Sequence, residues 1–393
     1  MNWDQVRVWV AGLIMALISS VSFADVAPDF SKMDASQLQI ESETSAIAQR
    51  VLARRMLGLD DTGERVSRII ENEQMQSAID LLRTASTSDA VAANTLGTLM
   101  QNGLVEPAYE SETRDLFKFA ADRGNEGGQV NLAILKLFSG NSIEASSGKQ
   151  VLENLIKNSN SDWAFVALRS VSTAMLYGIG GERDIAKGLE GYELFLQFSP
   201  NDYSILRVLG QAKEYGWVGE KDIRAAISFY ERAVEGGSSA AMWQLAMIYQ
   251  NSDGVEQDMG KAWDLVVQSS DAGYEKAIIS RAVMLALGQG VDQDYAASSL
   301  WYEKAASNGS AHAIRSLAYM YQVGQSQKVN AELAWGLYSL TAPFDPIAKD
   351  RLDEMQLVVD QLEESEKSAF LAAADQQANN WLLAHDLTVE DIR

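Results

Sequence analysis

The sequence predicts an all-α solenoid, and three observations carry that prediction. Three glycines, Gly237, Gly273 and Gly309, stand 36 residues apart each time. Two alanine columns keep the same register: Ala241, Ala277, Ala313 and Ala246, Ala282, Ala318. Apolar residues around them recur at helical spacing, as Ala226, Phe229, Tyr230 and Ala233 do at i, i+3, i+4 and i+7. Self-similarity at an interval of this length marks stacked helical hairpins. It also fits the size, because 393 residues exceed one ordinary core, whereas each solenoid repeat contacts only its neighbours.

The elements follow in order. Residues 1–24 have the layout of a secretory signal: Arg7, an apolar run from Val8 to Val21, then small residues at Ser22 and Ala24. Retention as a membrane anchor is the alternative, although the run is shorter than the ~20 residues of a spanning helix. Residues 25–41, polar and containing Pro28, read as a linker. Residues 42–73 read as an N-terminal helical cap, one helix carrying Ile47, Val51, Leu52 and Met56 and a second opened by Asp61 and Glu64.

The array spans 74–342. Its clearest repeat is set at Asp222 to Gln257: a first helix, a stop at Gly236-Gly237, then a second helix with Ala241, Leu245, Ala246 and Tyr249. The next two begin at Asp258 and Asp294. Fainter copies upstream carry a small residue followed six positions later by Gly or Ser, as at Gly97/Gly103, Ser172/Gly178 and Gly210/Gly216. About seven helix-turn-helix units result, with a further first helix at Asn330. Pro343 and Pro346 break the period, and 343–393 reads as a C-terminal cap of two helices, Ile347–Leu362 and Glu364–His385.

Composition narrows the function. The formal net charge of −22, from 54 acidic and 32 basic residues, opposes nucleic acid and anionic membrane surfaces. There is no cysteine, so disulfides, thiolate metal sites and a lipidated cysteine are excluded and the chain is not a lipoprotein. Two histidines, His312 and His385, supply a metal site or catalytic triad poorly. No cofactor, metal or catalytic residue is expected.

The hairpins resemble the Sel-one-like repeat (SLR), a relative of the tetratricopeptide repeat. The matching stretches are Trp301-Tyr-Glu-Lys-Ala-Ala-Ser-Asn-Gly309, Leu245-Ala-Met-Ile-Tyr249 and Gly288-Gln-Gly-Val-Asp-Gln-Asp294, with Ser252-Asp-Gly-Val-Glu-Gln-Asp258 as a near match. Before Asp222 the pattern weakens, with Gly188 in place of the helix alanine. The resemblance implies a right-handed superhelix acting as an adaptor or scaffold. Secreted bacterial members include regulators of exopolysaccharide production and scaffolds of export machines. A cysteine-rich subgroup linked to β-lactam binding is not matched.

Candidate chemistry is sparse. Ser146-Ser-Gly-Lys149 has the serine–lysine spacing of penicillin-recognising enzymes but falls in an expected loop, without the companion boxes. Asp253, Glu256, Asp258, Asp292 and Asp294 could gather calcium, yet aspartate at that position suits a helix N-cap. Because residues that repeat serve packing, function is expected where repeats differ. One second-helix column reads Arg207, Trp243, Ile279, Arg315, and it is the candidate partner-binding site. The expected function is a non-enzymatic scaffold or regulator, secreted across the inner membrane to the periplasm, binding an envelope protein. The alternatives are a carbohydrate or peptidoglycan binder, with a glycan as partner, and an envelope hydrolase or β-lactam-binding enzyme.

Overall fold

The computed structural model describes residues 72–392 apart from 110, 160, 252, 253 and 326, together with 45, 46, 49, 50 and 53. The expected signal segment, the linker and most of the N-terminal cap lie outside the described residues. Among those described there is no strand, and seventeen α-helices follow one another. They are α1 (Asn72–Ala85), α2 (Ala90–Gln101), α3 (Glu112–Asp122), α4 (Glu126–Leu137), α5 (Ser142–Asn158) and α6 (Trp163–Tyr177). Next come α7 (Ile185–Phe195), α8 (Tyr203–Tyr215), α9 (Ile223–Glu235), α10 (Ser239–Asn251), α11 (Met259–Asp271) and α12 (Glu275–Leu287). The last are α13 (Tyr295–Ala306), α14 (Ala311–Val323), α15 (Ala331–Thr341), α16 (Pro346–Val359) and α17 (Glu364–Ala384). The chain divides after Pro200 into two compact units.

Within each unit, sequence neighbours pack as antiparallel pairs. The closest are α2–α3, which α3–α4 equals, α4–α5 and α6–α7 in the first unit, and α8–α9, α10–α11, α12–α13 and α14–α15 in the second. These seven pairs equal the number of hairpins expected, but their phase differs by half a repeat. The sequence reading places Gly237 inside a hairpin, between α9 and α10. The tighter pairing instead joins α10 to α11, across the loop that follows the second helix.

That loop, as its described copies show, is braced by hydrogen bonds. Its first glycine ends the helix in the left-handed region, with φ +73° at Gly178, +62° at Gly216, +67° at Gly288 and +74° at Gly324. The residue after it donates its N–H five positions back, as Ile179 does to Ala174 at 2.8 Å and Gln289 to Met284 at 3.0 Å. Nine residues then close on themselves. Asp184, Asp222, Asp258, Asp294 and Asn330 each donate a backbone N–H to the carbonyl nine positions earlier, at 2.9–3.0 Å. The same side chains cap the next helix: the Asp258 carboxylate accepts from the Lys261 N–H at 2.8 Å, and that of Asp294 from Ala297 at 2.8 Å. These acids therefore work as caps, and the described residues hold no acidic or histidine group suited to a metal. Asp258→Ala should cost about 1 kcal/mol, within the 0.5–2 kcal/mol of N-cap deletions. Urea denaturation checks it, and an unchanged midpoint would count against the capping role.

The second contributor to phase is an aromatic packing rule. A small residue on a second helix stands twenty residues before an aromatic on the next first helix at five places: Gly97 and Phe117, Ser172 and Tyr192, Gly210 and Tyr230, Ala282 and Tyr302, Ala318 and Tyr338. A Cβ on Gly210 would lie 2.6 Å from the Tyr230 ring, and one on Gly97 2.7 Å from the Phe117 ring. Tyr230, Tyr338 and Phe117 are fully buried. Their hydroxyls are satisfied where they exist: Tyr230 donates to Glu214 Oε2 at 2.6 Å, and Tyr338 to Gln322 Oε1 at 3.0 Å. Glu214 and Gln322 are three periods apart, so the contact recurs with a changed acceptor. Burial pushes the Tyr338 phenol up to about 12. Burial and then Glu214 push Tyr230 higher still.

One sequence expectation in the first unit needs correction. Ser146 to Lys149 lie inside α5, not in a loop. The serines point to solvent, while Gly148 is buried where α5 meets the Ala133 carbonyl of α4. Gly148 is there to bring two helices together. Gly188 works likewise, and a Cβ there would stand 2.6 Å from Leu176 and 2.9 Å from the Ser172 carbonyl.

Beyond the array, α16 and α17 pack on α15 through Trp335, Val359 and Ala374, with Leu352, Met355, Phe370 and Leu371 at the edge. The α16 helix ends at Val359, three residues short of the expected Leu362, which is 37% exposed. After α17 the tail turns through Asp386, at φ +54°. It inserts Ile392, only 2% exposed, into the core formed by α12–α17. No helix among the described residues is long and apolar enough to cross a membrane.

Candidate functional site

The second unit holds an apolar groove on its second helices. Its walls are Trp243, Met247 and Gln250 from α10, Lys276, Ile279, Ser280, Val283 and Met284 from α12, and His312 from α14. It encloses about 300 Å³, at the small end of ligand cavities. The helices bring these residues together by period: 243 and 279 share a column, as do 247 and 283, and 276 and 312. The α10 helix has no charged residue in its whole length, SAAMWQLAMIYQN, so its groove side needs no ion pairing.

Trp243 fixes one wall. It is half-buried, its indole N–H donates to Ser280 Oγ at 2.9 Å, and its ring meets Tyr274 at 5.9 Å between centroids. The Lys276 ammonium sits 5.2 Å from the same ring, within cation–π range. Ile279 is half-buried and packs its inner side on the core, as Val283 does. The candidate column thus divides. Trp243 and Ile279 line the groove, and the two arginines do not. Arg315 Nε pairs with Asp345 Oδ2 at 2.6 Å, both side chains at most 20% exposed. Arg207 donates to Gln211 Oε1 at 3.0 Å on its own helix. Its charge opposes part of the upward push that burial gives the Tyr274 phenol.

Met247, Val283, Lys276 and Ser280 were missed from sequence. They occupy the columns beside 243 and 279, and reading all columns of the second helix rather than one would have found them. The other aromatics singled out are structural: Tyr230 and Tyr302 are buried, and the Trp301 ring is covered by Arg281 at 4.0 Å and Lys304 at 4.7 Å.

His312 closes the groove at α14. Open to solvent along one edge, it is still crowded enough that desolvation, and next the Arg315 charge, hold its imidazole below the usual 6.5, with Asp345 opposing. The folded state therefore binds this proton less readily than the unfolded chain. Its contribution to stability is complete above the unfolded value and falls as pH drops through the window beneath it. Proton NMR should find His312 titrating below the free imidazole. Arg315→Met should raise it, since a repelling charge goes and Asp345 is left unpaired; an unmoved titration would refute this arrangement.

Comparison with known proteins places the groove within a recognised repeat. Residues 167–195, 206–238, 239–274, 276–310 and 311–342 match the Sel1 repeat in five consecutive copies. The copy at 239–274 contains α10 and α11, in the phase set by the braced loop. No curated protein matches the chain in sequence. Among solved structures it is similar to a Sel1 repeat protein from Oxalobacter formigenes, at 18% identity and TM-score 0.46, over 52% of this chain and 82% of that one. It is also similar to a protective antigen of uropathogenic Escherichia coli strains displaying an SLR fold, at 16% identity and TM-score 0.38, over 90% and 95%. A third is a Sel1 repeat protein from Klebsiella pneumoniae subsp. pneumoniae, at 20% identity and TM-score 0.36, over 55% and 99%.

Proposed function

We propose that this chain, whose residues 167–342 carry five consecutive Sel1 repeats, is a non-enzymatic scaffold that grips a partner protein in the groove between α10, α12 and α14. Sel1 repeats serve protein–protein interaction, which gives the class of function. The single observation that carries the site is the groove itself: a half-buried tryptophan held by Ser280, with Met247, Ile279 and Val283 facing outward beside it. Ordered aromatic anchors in apolar clefts are where interface energy concentrates. Trp243 is shared with Tyr274 and Lys276, which suits a peptide side chain better than the flat face of a sugar.

The signal layout of residues 1–24 supports a secreted, periplasmic location, and with it a partner in envelope assembly or polysaccharide export. Cell fractionation with intact-mass measurement tests the location; a chain retaining residues 1–24 in the cytoplasm would overturn it. A photocrosslinking residue at Ile279 tests the function. It should capture one defined protein in the native cell, and the same probe at Leu300, 65% exposed on α13, should not. Equal labelling from both positions would sink the scaffold reading at this site.

A further inference from the structure

We infer that the exposed side of α16 is a second docking surface, and that it takes a basic amphipathic helix from a partner protein. It lies apart from the groove on α10, α12 and α14 and does not depend on it.

The period identifies α16 as a second helix, since its N-cap Asp345 stands 36 residues after Gly309. Every earlier second helix of this unit is covered by the first helix that comes next: α8 by α9, α10 by α11, α12 by α13 and α14 by α15. After α16 that order lapses, because α17 packs chiefly on α15. With about 3.6 residues per turn, Ala348, Leu352, Met355 and Val359 form the side of α16 that meets the core. Ile347, Asp350, Asp353, Glu354, Leu357 and Val358 form the opposite side, and all six are exposed. Leu357 and Val358 stand at 68% and 65%, and Ile347 at 53%. The apolar pair and the isoleucine mark the two ends of the face, roughly 16 Å apart along the helix.

The charge of the face says what covers it. One register position is small and buried in all four earlier second helices: Gly210, Ala246, Ala282 and Ala318. At Gly210 it receives the Tyr230 ring. In α16 the same position is Glu354, so the side chain that fits there is a lysine or arginine rather than a ring. Its methylene stem would cover apolar surface while its charge meets the carboxylate. Asp350 and Asp353 lie on the same side and have no ion-pair partner among the described residues. The cations of α16 do not offset them. Arg351 is taken by Glu354 at 2.9 Å, in an exposed pair that an incoming cation can exchange, and Lys349 lies further round the helix. Residues 343–393 hold twelve acids against four bases, and Lys367 among the bases is taken by Asp360 at 2.6 Å. The chain's net −22 acts in the same sense: it draws basic segments in and repels a second copy of itself. A helix lying where a first helix would come, apolar at both ends and basic between, satisfies both the shape and the charge of the face.

The test is selection of a displayed library of random helix-length peptides on the immobilised full chain. Parallel selections use Leu357→Ser with Val358→Ser, Asp350→Asn with Asp353→Asn, and Trp243→Ala, each first shown by circular dichroism to melt as a folded protein. The expected result is enrichment, by about tenfold or more, of peptides with Lys or Arg between apolar anchors. It should persist on Trp243→Ala, vanish on the serine pair and weaken on the asparagine pair. Enrichment that the serine pair leaves intact, or none above the bare support, would overturn the docking face, and the Trp243→Ala selection reports on the groove separately. Enrichment lost on the serine pair but neutral or acidic in composition would overturn the basic partner. Sedimentation showing dimers that the serine pair dissociates would overturn it too, by giving the face to a second copy.

Discussion

Tyr230→Ala will destabilise the second unit by about 3–5 kcal/mol, the range for deleting a buried aromatic. Tyr230 is fully buried, and its ring fills the space left by the missing side chain of Gly210. Neither helix can close on the cavity without moving the braced loop from Gly216 to Asp222 that joins them. The hydroxyl accounts for a separable share. Tyr230→Phe removes only the bond to Glu214 and should cost about 1.5–3 kcal/mol, the range for hydrogen bonds to charged groups. Urea denaturation of both variants measures the difference. A loss below about 1 kcal/mol for the alanine variant would mean that the ring is not holding α8 to α9.

Gly309→Ala should cost more than the same change at Gly237 or Gly273. All three glycines sit at φ of +80° to +83°, so each alanine meets the left-handed penalty of roughly 1–2 kcal/mol. At Gly237 and Gly273 the added methyl meets open space. At Gly309 it collides with the backbone carbonyl of Asp391 in the tail. Relief requires the tail to lift, which withdraws Ile392 from the core and forfeits about 1.5–3 kcal/mol more. Melting curves of the three variants should separate accordingly, and hydrogen exchange at 387–392 should rise in Gly309→Ala alone. Equal melting with an unchanged tail would falsify this reading of the contact.

The glycines therefore illustrate what was legible in sequence. Their interval revealed the period and the all-helical class, since positive φ and close helix approach both demand glycine and both recur with the repeat. The capping role of Asp258 and Asp294 was legible for the same reason. The repeat phase was not, because a sequence shows both turns of a repeat equally and only packing shows which one is braced. Ser146 to Lys149 was misplaced in a loop because glycine, which suits a loop, also admits a neighbouring helix, as Gly148 does. At the site, Trp243 and Ile279 line the groove, while Arg207 and Arg315 of the same column turn to Gln211 and Asp345. Asp345 holds the place, 36 residues on, where Gly309 stands one repeat earlier. The prolines at 343 and 346 hide that correspondence, and the side chain that neutralises Arg315 arrives from the first turn beyond the period.

The twenty-residue reach from small residue to aromatic has a consequence for how the chain folds. Each of these contacts closes a short stretch of chain, and low contact order of this kind goes with folding in microseconds to milliseconds. Structure can begin at any hairpin and spread to its neighbours. The array can also be lengthened or shortened by whole 36-residue steps during evolution, because the new neighbour offers each ring the same seat that the old one did.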